Sequence, residues 1–184
     1  MVSSAESATV WIAGAAGFIG SAITRRFADA GWRVCALIHR RSEGVPDGVH
    51  VERCDAADPA ALEGLVRRLG QPECVVNAAG LASDVGPRAL FHRLNVGIVQ
   101  ALAPLPRRKF IHISSSDVYG IRDFHGETEA ALPFDDNVGN PYPATKIEAE
   151  RWLAAHLPPT RFVCLRPGAV WGEGDRTLEP RAVA

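Results

Sequence analysis

Short apolar runs alternate with stretches of helical spacing along almost the whole chain. The runs TVWIAG (residues 9–14), RVCALI (33–38), VHVERC (49–54), ECVVNAAG (73–80), KFIHIS (109–114) and RFVCLRP (161–167) have the length and β-branched content of buried strands. Between them, Phe18 to Ala30 reads as a helix closed by Gly31. DPAALEGLVRRLG places Asp58 as N-cap, Pro59 at the first helical position and Gly70 as the stop. Residues 86–103 carry Leu90, Leu94, Ile98 and Leu102 at helical spacing, and YPATKIEAERWLAAHL reads as a last helix. Residues 117–140 form a polar connection, uncommonly long for an idle loop in a compact domain. This β-α-β-α order predicts an α/β fold, a doubly wound parallel sheet with helices on both faces. Ligands of such sheets bind beyond the carboxyl ends of the strands, near the switch in strand order.

Composition adds little to that pattern and removes several alternatives. The 184 residues suit one domain spanning 1–184, with residues 1–8 as a leader. A formal net charge of −1 supplies no field to hold nucleic acid or an anionic membrane, and arginine pairs such as Arg25-Arg26 read as solvated faces. Cys35, Cys54, Cys74 and Cys164 show no C-x-x-C spacing, so free thiols are expected, without disulfides or a metal site. The N-terminus lacks a basic region and carries Glu6, against a signal peptide, and no apolar run is long enough to span a bilayer. A cytoplasmic location is the expectation.

Candidate chemistry clusters at strand ends. GAAGFIG sets Gly14, Gly17 and Gly20 between the first strand and first helix, where glycine permits a tight turn and close approach of a pyrophosphate to the backbone. The helix N-terminus behind it offers free N–H groups and partial positive charge. At the end of the second strand an NAD enzyme usually offers an acid to the ribose hydroxyls. Here the residues are His39, Arg40 and Arg41, and arginine matches a 2′-phosphate. NADP(H) is therefore the expected cofactor, with NAD(H) possible. Asp55, after the third strand, is placed to meet the adenine ring or to cap a turn.

With these residues in view, the chain resembles the extended short-chain dehydrogenase/reductase family. The likeness is to the branch holding sugar-nucleotide epimerases and hydroxysteroid-dehydrogenase-like reductases. GAAGFIG, CDAAD, VVNAAGLASDVGP, LNVG, HISSSDVYG, NPYPATK and LRPGAVWGEGD follow in the family's order over nearly the whole chain. The resemblance implies a Rossmann-type domain and pyridine-nucleotide redox chemistry. It implies cofactor contacts at Gly14, Ala16, Gly17, Phe18, Ile19 and Gly20, at His39, Arg40, Arg41, Asp55 and Ala56, and at Ala78, Ala79, Gly80 and Ser114. Tyr142, Lys146, Pro167 and Val170 complete that set.

The resemblance also makes Tyr142 the acid/base and Lys146 its partner. Positions i and i+4 share a helix face about 6 Å apart along the axis. An ammonium there favours a phenolate, so a lowered tyrosine pKa is expected. The family's lysine also holds the nicotinamide ribose, a task for a compact ammonium, and of the 20 basic residues only Lys109 and Lys146 are lysines. Counting back four from Tyr119 selects Ser115, ahead of Ser116, as the hydroxyl that polarises the substrate. Asn95 of LNVG is implied to support the site through backbone and water contacts.

The first expectation for the reaction is NADP(H)-dependent interconversion of a carbonyl and a secondary alcohol. The alternatives are an NAD-dependent sugar-nucleotide epimerase and an inactive nucleotide-binding sensor or interaction subunit. Dehydration is disfavoured, because the acidic pair of family dehydratases is replaced by Ser116 and Asp117. Pro143 stands where relatives carry a small residue, tolerable in a first helical turn. The resemblance implies a substrate lobe beginning near the tail 172–184 and largely absent from this sequence. A homodimer through residues 86–103 and 142–157, or a partner supplying the missing wall, is the corresponding expectation.

Overall fold

All six apolar runs form strands, β2 over its full expected length and the others trimmed at one or both ends: β1 (Thr9–Ala13), β2 (Arg33–Ile38), β3 (His50–Arg53), β4 (Cys74–Asn77), β5 (Lys109–Ile113) and β6 (Phe162–Leu165). The computed structural model describes residues 8–83, 85–129, 132–136, 139–172 and 174–175. The expected leader and most of the expected tail lie outside them. The strands make one sheet in the order β3-β2-β1-β4-β5-β6, with every neighbouring pair parallel. The order reverses between β1 and β4, which opens the Rossmann crevice at their carboxyl ends.

The central strands read as unbroken apolar runs because both of their faces are covered. Trp11, Ala13, Leu37, Val75 and Phe110 pack on one side with Leu62 and Leu65 of α2 (Pro59–Leu69), Leu102 of α4 (Ile98–Leu102) and Leu153 of α5 (Pro141–His156). Val10, Ile12, Ala36 and Val76 pack on the other against Ile23 and Phe27 of α1 (Phe18–Asp29). At the edge, β6 alternates instead, with Val163 and Leu165 exposed. All four cysteines are free, two buried and two half-buried, and burial pushes their thiols up to about 11 or 12. They serve as packing groups rather than nucleophiles at neutral pH. Among the described residues no helix is long and apolar enough to cross a membrane.

Helix ends follow the capping chemistry of the sequence. Asp58 accepts a hydrogen bond from the Ala60 N–H at 2.9 Å, and Gly70 ends α2 at φ +79°. Asn140 accepts from the Tyr142 N–H at 2.9 Å to start α5. Pro143 is the third residue of α5, where a backbone N–H has no intrahelical partner, so the proline removes no hydrogen bond. The expected continuous helix 86–103 is instead three pieces: α3 (Arg88–Phe91), a π-helical turn over His92–Gly97, and α4. That wide turn buries Asn95 and Val96. Such turns recur at functional sites.

Candidate active site

The glycine turn meets the sheet before it meets any ligand. Gly14 has φ +76°, and a Cβ there would stand 2.7–2.8 Å from the backbone of Ala78 and Ala79. The turn after β1 therefore lies directly against the segment leaving β4. Gly17 is the N-cap of α1 with an ordinary extended backbone, and the Ser21 N–H bonds its carbonyl. Gly20 packs α1 against the Gly14 peptide. Gly17 and Gly20 thus shape the turn, while Gly14, Ala16, Phe18 and Ile19 face the crevice.

Two adjoining cavities lie beyond the strand ends. The larger, about 400 Å³, is lined by Phe18, Ile19, Ala78, Ala79, Gly80, Ser114, Ser115, Tyr142, Lys146, Pro167 and Val170. The smaller, about 150 Å³, is lined by Gly14, Ala16, His39, Arg40, Arg41, Asp55 and Ala56, and shares Ala79 with the first. Ala82, Asp117 and Gly168 in the larger lie within motifs quoted above, and Arg93 in the smaller directly precedes LNVG, but none was among the expected site residues. Asp55 accepts from the Ala57 N–H at 2.9 Å and is ion-paired with Arg93. Its turn-capping role is therefore present, and Arg93 reaches it from the π-helical turn.

Ser115 and Tyr142 line the larger cavity together. Ser115 is also the N-cap of a short 3₁₀ turn, its Oγ accepting from the Asp117 N–H at 3.3 Å. Ser116 does not line the cavity. Lys146 is buried, donates to the Ile113 carbonyl at 2.8 Å, and holds Nζ 5.9 Å from the centre of the Tyr142 ring. The tyrosine pKa does not fall as the helical spacing suggested. Burial raises it; the neighbouring Ser115 hydroxyl acts downward and the Asp117 charge upward. The lysine is itself desolvated and spends its hydrogen bond on Ile113. Burial lowers its pKa to about 8 against the upward pull of Glu150 and Cys164.

Asn95 lines neither of these two cavities; it acts as a bracket. Its Oδ1 accepts from the Leu81 N–H at 2.7 Å, and Nδ2 donates to the Leu81 carbonyl at 3.2 Å and to Thr145 Oγ1 at 2.9 Å. Thr145 in turn bonds the Pro141 and Tyr142 carbonyls at 2.8 and 3.0 Å. The segment after β4, the π-helical turn and the start of α5 are thereby tied together behind Tyr142. Asn95→Ala is expected to lower stability by about 2 kcal/mol, since it strands buried polar groups, as read by urea unfolding. A second pair, Asn77 and His112, lies buried below Ala79. Asn77 Oδ1 accepts from the Ala79 N–H, which turns its amide toward His112 Nδ1 at 3.3 Å. Burial drives the histidine pKa well below its ordinary value, so the ring is neutral.

The sequence reading also passed over Glu150. Its carboxylate accepts from Ser114 Oγ at 2.5 Å and from Arg166 through Nε at 3.0 and 3.1 Å and Nη2 at 2.5 Å. Arg166 continues to the Tyr119 hydroxyl and lies over the Tyr119 and Phe134 rings. The Ser114 hydroxyl therefore points away from the cavity. An acid one turn after Lys146 on an inward helix face was the available signal.

Known proteins bear on this geometry. A 2-alkyl-3-oxoalkanoate reductase of Stenotrophomonas maltophilia (strain K279a) is 29% identical over 183 residues, covering 94% of this chain and 54% of its own length. This chain spans about half the length of the curated relatives it matches. The UDP-glucose 4-epimerase of Brucella ovis in complex with NAD superposes with a TM-score of 0.74 at 28% identity, over 87% of this chain and 51% of that one. The Bordetella bronchiseptica enzyme WbmH in complex with NAD+ superposes at 0.79 and 23% identity, over 92% and 58%, a likeness of fold.

These findings overturn the expected preference for NADP(H), and with it the first expectation of an NADP(H)-dependent reductase. The related structures hold NAD, and the family description that matches the chain names NAD. The physical reason lies in the loop after β2, where His39, Arg40 and Arg41 are all exposed. An exposed guanidinium is solvated without any ligand, so its presence does not demand a phosphate. Arg40 contributes its backbone carbonyl, which accepts from Arg53 at 2.8 Å. Residues 10–184 match the NAD dependent epimerase/dehydratase family throughout, and the chain belongs to that family.

Proposed function

We propose that this chain carries the nucleotide-binding and hydride-transfer machinery of an NAD-dependent sugar-nucleotide epimerase. The observation that carries the reading is the continuity of two cavities over one glycine turn, with Ser115, Tyr142 and Lys146 at the far end. The residues present fit the dinucleotide. At Gly14 and Gly80 a Cβ would fill space that backbone or Asn95 and Lys146 already border, so the floor of the crevice stays open and flat. The smaller cavity takes the adenosine, with Asp55 and Ala56 beside the base and His39 to Arg41 at the ribose. The start of α1, at Phe18 and Ile19, faces the pyrophosphate with a helix N-terminus. Ser114, Tyr142, Lys146, Pro167 and Val170 surround the nicotinamide end.

NAD, when bound, supplies the hydride acceptor and donor. Ser115 orients a substrate hydroxyl toward Tyr142, whose phenolic oxygen takes the proton as the carbon is oxidised and returns it when hydride comes back. Epimerisation requires only that the keto intermediate turn over between those two events. Lys146 supplies positive charge behind the phenol, and Asn95 fixes the backbone on which Tyr142 stands. The epimerase reading draws on the family and on the NAD-bound relative; the substrate itself is a proposal.

Calorimetry with NAD and NADP, followed by turnover assays with UDP-glucose and UDP-galactose, tests the reading. NAD is expected to bind several-fold more tightly than NADP, with interconversion of the sugar nucleotides. Binding of NAD without any turnover on a broad panel would instead favour the sensor reading, and absence of nucleotide binding would sink both.

A further inference from the structure

Lys146 and Glu150 stand one turn apart on the inward face of α5, and each is 4% exposed. Two ionisable groups at that depth are unusual unless something compensates them. For Lys146 the bonded partner is a neutral one, the Ile113 carbonyl. Glu150 accepts from Ser114 on one oxygen and from the Arg166 fork across both. Ser114 follows β5 and Arg166 follows β6, so the carboxylate is gripped from two adjacent strand ends directly beneath the cleft.

We propose that Glu150 is a positioning residue for the candidate reaction, supplying the buried negative charge that balances Lys146 behind Tyr142. The proposal rests on the reading of the site given above and adds to it the source of the lysine's charge. Arg166 and Ser114 are the groups that hold the carboxylate in place, which explains a fork of bonds so close to a cleft it does not line. The groups facing Lys146 come from every element packed on it. They are His112 from β5, neutral by burial; Cys164 from β6, its thiol pushed up to about 12; and Tyr142 and Glu150 from α5 itself. Asp117, nearer the solvent, acts on Tyr142. Of these, only Glu150 is a buried carboxylate. Burial brings the lysine down to about 8, with Glu150 the largest influence in the other direction.

The sign follows. Loss of the Glu150 charge removes the pull that favours the ammonium, so Lys146 gives up its proton at lower pH. Because the chain has just two lysines, the test is direct. Protein labelled with ¹³C at lysine Cε gives two resonances, and Lys109→Arg assigns them. The Lys146 midpoint is expected near 8 in the parent and lower by about one pH unit in Glu150→Gln. Glu150→Asp, which keeps the charge, should restore most of the difference. An unchanged midpoint in folded Glu150→Gln would overturn the proposal. If Glu150→Gln does not fold, Arg166→Gln replaces it. With the cation removed and the carboxylate kept, the midpoint rises, and a fall or no change overturns the proposal. The titration needs neither cofactor nor substrate. A parent protein without turnover would therefore count against the proposed function and leave this coupling standing. Where turnover is present, the alkaline limb of kcat/KM should move down with the NMR midpoint in Glu150→Gln, a shift that a merely structural ion pair would not produce.

Discussion

Tyr142→Phe is expected to bind NAD as the parent does while turnover falls by roughly 10²- to 10⁴-fold, the range typical for removing a positioned general acid/base. The substitution removes one oxygen and keeps the ring. The helix start stays capped by Asn140, and the bonds that brace this turn, from Thr145 to the Pro141 and Tyr142 carbonyls and from Asn95 to Thr145 Oγ1, do not involve the phenol. The fold and the cavity walls therefore persist, and the loss falls on the proton transfer alone. The parent's own pH response has a defined direction. Burial holds the phenol above its usual pKa, so it is protonated at neutral pH and ready to donate. Taking a proton from a substrate hydroxyl uses the rarer phenolate, so that step should quicken as pH rises from neutrality. Initial rates of alcohol oxidation across pH 6–8, with Tyr142→Phe as control, measure both effects. A variant retaining more than about a tenth of the parent rate would remove Tyr142 from the acid/base role.

Much of the architecture was legible because it depends on local regularities. Runs such as VVNAAG, apolar on consecutive residues, announce strands covered on both faces, and Asp58-Pro59 announces a helix start through cap chemistry. The order of the motifs likewise points to Ser115, Tyr142 and Lys146, which line one cavity. What escaped depends on burial and on contacts distant in sequence. The π-helical turn at His92–Gly97 interrupts a spacing that looks continuous, because Asn95 is drawn to Leu81 across the cleft wall. The tyrosine pKa moved against expectation because desolvation, invisible in a spacing rule, raises it and the Asp117 charge adds to the rise. The arginines after β2 misled for the opposite reason: a residue's chemistry suits a phosphate, but exposure leaves it equally content in water. Glu150 went unnoticed because its partners, Ser114 and Arg166, lie 36 and 16 residues away.

Gly20→Ala is expected to reverse the usual sign of a helical glycine substitution. Replacing glycine by alanine inside a helix normally stabilises by about 0.5–1 kcal/mol, through the unfolded chain's lost freedom. Gly20 sits in the first turn of α1, where a Cβ would be driven into the Gly14 peptide, 2.7 Å from its carbonyl carbon and 3.2 Å from Ala15 Cα. Neither neighbour is the far end of a flexible side chain. Gly14 cannot retreat, because its own α-carbon faces the Ala78–Ala79 backbone on the other side. The strain passes through three backbone segments, and a loss of about 3 kcal/mol follows, at the upper end for overpacking. Gly64 in α2 is the matched control. A Cβ there would meet only the tip of Arg67, at 3.8 Å, so Gly64→Ala should show the ordinary gain. Urea midpoints for the two variants should therefore move in opposite directions. Relief of the clash also tilts α1 away from the turn and takes Phe18 and Ile19 from the larger cavity. NAD affinity of Gly20→Ala should fall even at temperatures where the protein remains folded. A variant as stable as the parent with unchanged NAD binding would show that the first turn of α1 is not held against the strand ends by that glycine.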